Sequence, residues 1–268
     1  SGEDDGSFVG RAVAFNADGS VAYVAGSVWN KDNSTDDVMI VKFPAGGTPE
    51  TFAQFDLLGD DEARAIAVDP NDGSVIVAGL TGKIPQESKG GDALLMKFDS
   101  TGVEQWREVV AGESVPGQDR FDAVVVDAAS DVYVGGTVDN GGFQKMWLSK
   151  YDGSGDGDGT STLIWSDTED SPSGVTAIAL DPSEETIYAT GWGTSDAYVC
   201  TNTAIRVWRS DVAETGTYQV IHIGAHDGPD STAKGNDVGR AIAVAADGTV
   251  YVAGEIFVAE GAELHDDA

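Results

Sequence analysis

One pattern recurs five times along this chain. The segments RAVAFNADGSVAYVAG, ending at Gly26, RAIAVDPNDGSVIVAG at Gly79, DAVVVDAASDVYVGG at Gly136, TAIALDPSEETIYATG at Gly191 and RAIAVAADGTVYVAG at Gly254 are copies of it. Their closing glycines stand 53, 57, 55 and 63 residues apart. A period of that length points to a repeat architecture, in which one supersecondary unit buries its faces against its neighbours. Each copy holds two short runs rich in Val, Ile and Ala around an Asp, Asn or Gly cluster, the pattern of a β-hairpin. Alanines recur at alternate positions, as in Ala65 and Ala67 or Ala241 and Ala243, and such small side chains let neighbouring sheets approach closely.

A second hairpin follows in each complete copy. Its first strand reads DDVMIVKF at Asp36 to Phe43, GDALLMKF at Gly91 to Phe98, KMWLSKY at Lys145 to Tyr151 and TAIRVWR at Thr203 to Arg209. Its second strand reads VEQWREVV at Val103 to Val110 or STLIWSD at Ser161 to Asp167. No segment of useful length carries a 3.6-residue apolar period, so helices should be nearly absent. Two hairpins per repeat give four antiparallel strands, the unit of a β-propeller; a solenoid has a shorter period and a sandwich needs none so regular. The expectation is an all-β β-propeller of four complete four-stranded blades plus the first half of a fifth. The blades fall at about 7–59, 60–117, 118–171, 172–235 and 236–268, the last incomplete, in one domain spanning 1–268.

At these residues the chain resembles the SBBP family of β-propeller repeats. That family's pattern is an Ala-Ile-Ala-Val-Asp strand, a Gly turn, a Tyr-Val-x-Gly strand, then Asp-Ala, an apolar strand with Lys, and a Gly turn before Trp. Residues 60 to 112 follow it nearly throughout, and the likeness extends over almost the whole chain. The resemblance implies a propeller and a surface or secreted setting, but no particular activity, because such repeats occur without a shared one. Aligned on the repeat, Asp267-Ala268 matches Asp92-Ala93, where a third strand should open. The expectation is therefore a piece of a larger ring or longer chain. The alternative is an open arc completed by another subunit, with unpaired edges prone to association.

Charge narrows the partners. With 46 Asp and Glu against 15 Lys and Arg, the formal net charge is -31. Binding nucleic acid or an anionic membrane needs clustered cations, and here they are sparse and scattered, so neither is expected. No run approaches the roughly 18 apolar residues of a membrane span, so no direct membrane insertion is expected of this segment. The surplus carboxylates suit divalent cations, cationic partners or a salty medium. Cys200 is the sole cysteine, which excludes an intrachain disulfide; it lies in the lengthened loop TSDAYVCTN, a candidate contact site.

Candidate sites follow from local chemistry. In YDGSGDGDGTST, Asp152, Ser154 and Asp156 alternate ahead of Gly157, with Asp158 adding a further oxygen, as in the first half of a calcium loop. Leu163 stands where such a loop would place Glu, and strands rather than helices flank it. Asp32, Ser34 and Asp36 repeat the alternation without the glycine, and Asn33 opens the sequon Asn33-Ser34-Thr35. Trp29 and Trp192, just after second strands, are candidate sugar platforms, whereas Trp106, Trp147, Trp165 and Trp208 sit on strand patterns and should pack between blades. Asp61, Asp119 and Asp237 share one repeat position, and Arg11, Arg64 and Arg240 share another. They read either as a rim around the channel or as local Asp-to-Arg pairs, and the pairs are the expectation. No nucleophile elbow, phosphate loop or dinucleotide fingerprint is present.

These readings converge on a non-catalytic cell-surface or secreted module for protein or glycan contact, or for assembly with further copies of itself, with calcium as a stabilising ion. The rival is a calcium-assisted glycan hydrolase or lyase, which requires carboxylates from several blades to converge on the channel mouth.

Overall fold

The computed structural model describes residues 7–57, 59–83, 90–111, 118–139, 143–155, 163–168, 172–194, 203–211, 219–223 and 237–255. Among these residues the regular structure is entirely β, in 18 strands. The first sheet holds β1 (Phe8–Phe15), β2 (Val21–Asn30), β3 (Thr35–Pro44) and β4 (Glu50–Phe55). The second holds β5 (Asp60–Val68), β6 (Val75–Lys83), β7 (Asp92–Phe98) and β8 (Glu104–Val110). In the third are β9 (Arg120–Val126), β10 (Val132–Asp139), β11 (Gln144–Tyr151) and β12 (Leu163–Thr168). In the fourth are β13 (Ser173–Leu180), β14 (Thr186–Thr194), β15 (Thr203–Asp211) and β16 (Gln219–Ile223). The fifth consists of β17 (Val238–Val244) and β18 (Val250–Glu255). Strands pair antiparallel in chain order within every sheet.

The first turn of each unit shows why the hairpins form where they do. Asp69, Asp127 and Asp181 each close the hairpin through the backbone, donating N–H to the carbonyls of Ser74, Asp131 and Thr186. Their carboxylates also accept backbone N–H groups inside the turn, from Asn71 for Asp69, from Ala129 and Asp131 for Asp127 and from Thr186 for Asp181. This is the Asx chemistry that competes with strand pairing and so ends the strand. The turn needs one residue at positive φ, filled by Gly73 at 73°, Ser130 at 70° and Glu184 at 60°.

Alternation along the strands then decides the packing. In β6, Val75 and Val77 face the first sheet, joining a core with Tyr23, Ile40, Leu94 and Phe98. Ile76 and Ala78 on the same strand face the third sheet, packing with Trp106, Phe121, Val134 and Tyr151. Ala123, Tyr133, Met146 and Leu148 meet Val175, Ile178, Ile187 and Ala189 of the fourth sheet. A strand buried on both faces, with each side chain worth about 1.5–3 kcal/mol when fully covered, holds two neighbours at once. The result is a propeller-like succession of sheets packed face to face.

Among the described residues, no other sheet covers one face of the first sheet and one face of the last. Val13 is 58% exposed, whereas Ile66, Val124 and Ile178 at the same repeat position are 7–8% exposed. Tyr251 is 61% exposed, and its counterpart Tyr133 is fully buried. No helix among the described residues is long and apolar enough to cross a membrane.

Candidate functional site

The site begins with the repeat glycine. A Cβ at Gly26, Gly79, Gly136 or Gly191 would overlap the carbonyl of Val9, Glu62, Arg120 or Gly174 on the first strand of the same sheet. Only glycine admits so close a backbone approach. Beside that crossing, the pairing of the first two strands slips by one residue in every sheet. The residue left over in each β-bulge is Arg11, Arg64, Asp122, Thr176 and Arg240 in turn. A bulge re-aims its side chain, and repeating it in successive sheets gathers equivalent residues at one place.

These five side chains, with Arg120, line a single cavity of about 320 Å³. Because Arg11 of the first sheet and Arg240 of the fifth share that cavity, the first strands converge on a common axis. Two carboxylates hold the guanidinium groups in place. Glu62 lies 3.1 Å from Arg11 Nε and 2.6 Å from Arg64 Nη1. Asp122 accepts from Arg64 Nε at 2.5 Å and from Arg120 Nε at 2.8 Å. Burial works against the charge on Arg64, but Asp122 and Glu62 outweigh it and raise its pKa, so the cation is held firmly. Arg240 pairs with Glu255 at 3.1 Å across its own hairpin. Thr176 donates its hydroxyl to the carbonyl of Gly239, joining the fourth sheet to the fifth.

The expected Asp-to-Arg pairs do not form. Fully buried Asp61 accepts instead from the backbone N–H of Leu57 at 2.7 Å, from Gly82 N–H at 3.2 Å and from the Thr81 hydroxyl at 2.5 Å. Asp119 likewise accepts the backbone N–H of Asp139. None of Arg11, Arg64 and Arg240 takes Asp61, Asp119 or Asp237 as its partner. The reason is directional: the aspartate immediately precedes the residue whose carbonyl meets the glycine and bonds to neighbouring backbone, whereas the arginine is the bulged residue and turns to the axis. Of the rim reading the geometry supports the arginine half: Arg11, Arg64 and Arg240 line the cavity, and Asp61, Asp119 and Asp237 do not. Glu62, Arg120, Asp122 and Thr176 were absent from it. Asp122 and Thr176 stand 14 and 15 residues before their repeat glycines, as the arginines do, so the register carried their signal although residue type did not.

The other candidates disperse. In the 152–158 loop, Asp152 Oδ1 accepts from both the backbone N–H and the hydroxyl of Ser154, which lowers its pKa. Between them the carbonyl of Gly153 turns inward, accepting from Lys97 Nζ at 2.9 Å and Trp106 Nε1 at 3.3 Å. Asp156 and Asp158 lie outside the described residues, as does Cys200. Asp32 and Ser34 are exposed, and Asp36 has a raised pKa from burial and from neighbouring Asp60 and Glu62. The described residues contain no group of three or more His, Cys, Asp or Glu placed to hold a metal ion. Asn33 donates its side-chain amide to Asp56 at 2.9 Å. Trp29 is 46% exposed at the end of β2, whereas Trp192 is half-buried over Gly174. Trp106 and Trp147 pack between the second and third sheets, and the side chains of Trp165 and Trp208 lie outside the described residues.

Fold and cavity together define an all-β, propeller-like repeat protein. No family model and no curated protein matches the sequence. Solved structures do match in fold. A protein from Lactobacillus plantarum has a TM-score of 0.56 at 16% identity, over 91% of this chain and 64% of its own. Hydrazine synthase of Kuenenia stuttgartiensis gives 0.54 at 15%, over 91% and 55%. The periplasmic gluconolactonase of Pseudomonas aeruginosa gives 0.53 at 15%, over 91% and 65%. The chain thus spans 55–65% of the length of these proteins, and at such identities the likeness is one of fold alone.

Proposed function

We propose that this chain is a run of SBBP-type propeller blades, four of four strands and the first hairpin of a fifth, acting as a non-catalytic binding or assembly module of a cell-surface or secreted protein. The observation that carries this reading is the convergence of one repeat position from five successive sheets on a single cavity. Propellers place ligand sites at such a mouth because every blade contributes a side chain to it. A glycan hydrolase or lyase needs two carboxylates free to act on a bound sugar, whereas Asp122 in this lining is held between two arginines.

Calcium enters this reading as a stabiliser at Asp152, Ser154, Asp156 and Asp158, on the alternation of their oxygens. A chelator then lowers the melting temperature of the wild type and not of Asp152→Ala; an unchanged wild-type melt removes calcium from the account. The functional reading is tested by displaying the protein to glycan and peptide arrays alongside a reducing-sugar assay. Retention of a ligand without turnover supports it, and turnover of a bound glycan contradicts it.

A further inference from the structure

The cavity reverses the sign of the molecule that contains it. The chain carries -31 overall, with 15 Lys and Arg, yet four of those cations line one cavity together with a single carboxylate, Asp122. Counting Glu62 and Glu255, which pair with these arginines, leaves four cations against three carboxylates at the axis. Ion pairs between sheets, Arg11 to Glu62 and Arg64 to Asp122, hold these arginines in place, but the crowding of like-charged guanidinium groups around them is repulsive, and a bound anion relieves it.

The hydrogen bonding leaves the arginines capable of more. Arg11 meets Glu62 and Arg120 meets Asp122 through Nε, and among the described residues their terminal Nη groups make no side-chain hydrogen bond, whereas Arg240 gives Nε and Nη2 to Glu255 and keeps Nη1. Arg64 spends Nε on Asp122 and Nη1 on Glu62, leaving Nη2. Guanidinium donates five N–H groups in a planar fork that matches a carboxylate, and here two protein carboxylates orient the forks without exhausting them. Glu62 and Asp122 act as positioning residues, fixing three arginines from three successive sheets in one network. A volume of about 320 Å³ is at the lower end of small-ligand pockets. The remaining lining residue, Thr176, brings no aromatic platform.

We propose that this arginine-lined mouth binds the carboxylate groups of a small organic anion, with Arg11, Arg64, Arg120 and Arg240 as its contacts. The proposal rests on the binding-module reading and names its ligand class. The carboxylates can come from a free polycarboxylate or from uronate sugars of an acidic glycan, and the geometry at the mouth is the same for both.

The test is calorimetric titration of the full chain at about 0.15 M salt, where the field of the acidic body is screened beyond roughly 8 Å. Citrate and a galacturonate oligosaccharide are the carboxylate probes; a neutral galactose oligosaccharide and inorganic phosphate are the controls. Saturable binding of either carboxylate probe is expected, weakened about ten-fold or more by Arg11→Gln or Arg240→Gln, as for loss of a charge-assisted hydrogen bond. Both arginines are partly exposed and each has one ion-pair partner, so these variants keep the fold, and an unchanged melting curve verifies it. Tighter binding of citrate assigns a free anion, and tighter binding of the oligosaccharide assigns an acidic glycan. Absence of binding to both, equal binding of phosphate or the neutral sugar, or affinity indifferent to both substitutions overturns the proposal. If the arrays nevertheless retain a neutral ligand, the module reading survives and only the ligand class fails.

Discussion

Gly79 stands against Glu62 so closely that a Cβ at that position would overlap the Glu62 carbonyl oxygen, and the bulge that follows is what turns Arg64 toward the axis. The same contact recurs between Gly136 and Arg120 and between Gly191 and Gly174. The repeat glycine therefore sets the close approach of the two strands beside the bulge that aims the site. Gly79→Ala must move one strand off the other, and the account expects a loss of at least about 3 kcal/mol, the upper end of overpacking, because the obstacle is backbone. Thermal and denaturant melts check it; a loss under about 1 kcal/mol contradicts the proposed crowding.

Lys97 joins the second sheet to the third. Its ammonium lies 2.9 Å from the carbonyl of Gly153 and 3.4 Å from Asp69, whose side chain is fully buried. Lys97→Met leaves Asp69 charged without its cation, at a cost of about 3–5 kcal/mol. Adding Asp69→Asn removes that charge and recovers part of the loss, so the two substitutions are strongly non-additive in a double-mutant cycle. Additive losses would show that the pair does not act as a unit.

How much of this was legible in the sequence differs between scaffold and site. The glycine period and the alternation of Val75, Ile76, Val77 and Ala78 carried the strands and their two-sided burial, because period 2 in a strand is fixed by the backbone itself. The cavity was only half visible. Arg11, Arg64 and Arg240 stood out as a repeated type, but Asp122 and Thr176 occupy the same position with different chemistry. Pairing Asp61 with Arg64 overlooked the bulge, a one-residue slip that sequence periodicity does not report. The buried role of Asp61 depended on Leu57, Thr81 and Gly82, brought together only by tertiary structure.

Acid titration separates two sets of carboxylates. Asp18, Asp99, Asp152, Asp181 and Asp247 have lowered pKa values, with turn hydrogen bonds favouring the ionised form. Their contribution is present above the ordinary aspartate range and is lost as pH falls through the lowered folded values. Asp36 and Asp61 have pKa values raised chiefly by burial. Their penalty is present at neutral pH and is relieved as pH falls through the raised folded values. Stability should therefore rise as pH falls from neutrality through the raised values, pass through a maximum, and drop as pH falls further through the lowered ones. Melting temperatures across pH 2 to 8 check this; a monotonic fall from neutrality contradicts it.

The uncovered faces at Val13 and Tyr251 should promote association between copies, opposed by a net charge of -31 on each. Raising salt screens that repulsion and leaves apolar burial intact, so sedimentation should show association increasing with ionic strength. Val13→Glu with Tyr251→Glu should suppress it. Association that weakens with salt, or that ignores both substitutions, would place the contact elsewhere.

The radial arrangement is tested most directly by the distance between the first and fifth sheets. Spin labels at Arg11→Cys and Arg240→Cys, in a Cys200→Ser background, report it by pulsed electron resonance. Because both residues line one cavity of about 320 Å³, the account predicts a distance well under half of the roughly 40 Å expected for five sheets stacked in a line at about 10 Å spacing. A distance near that linear value would contradict convergence on a common axis, and with it the cationic mouth.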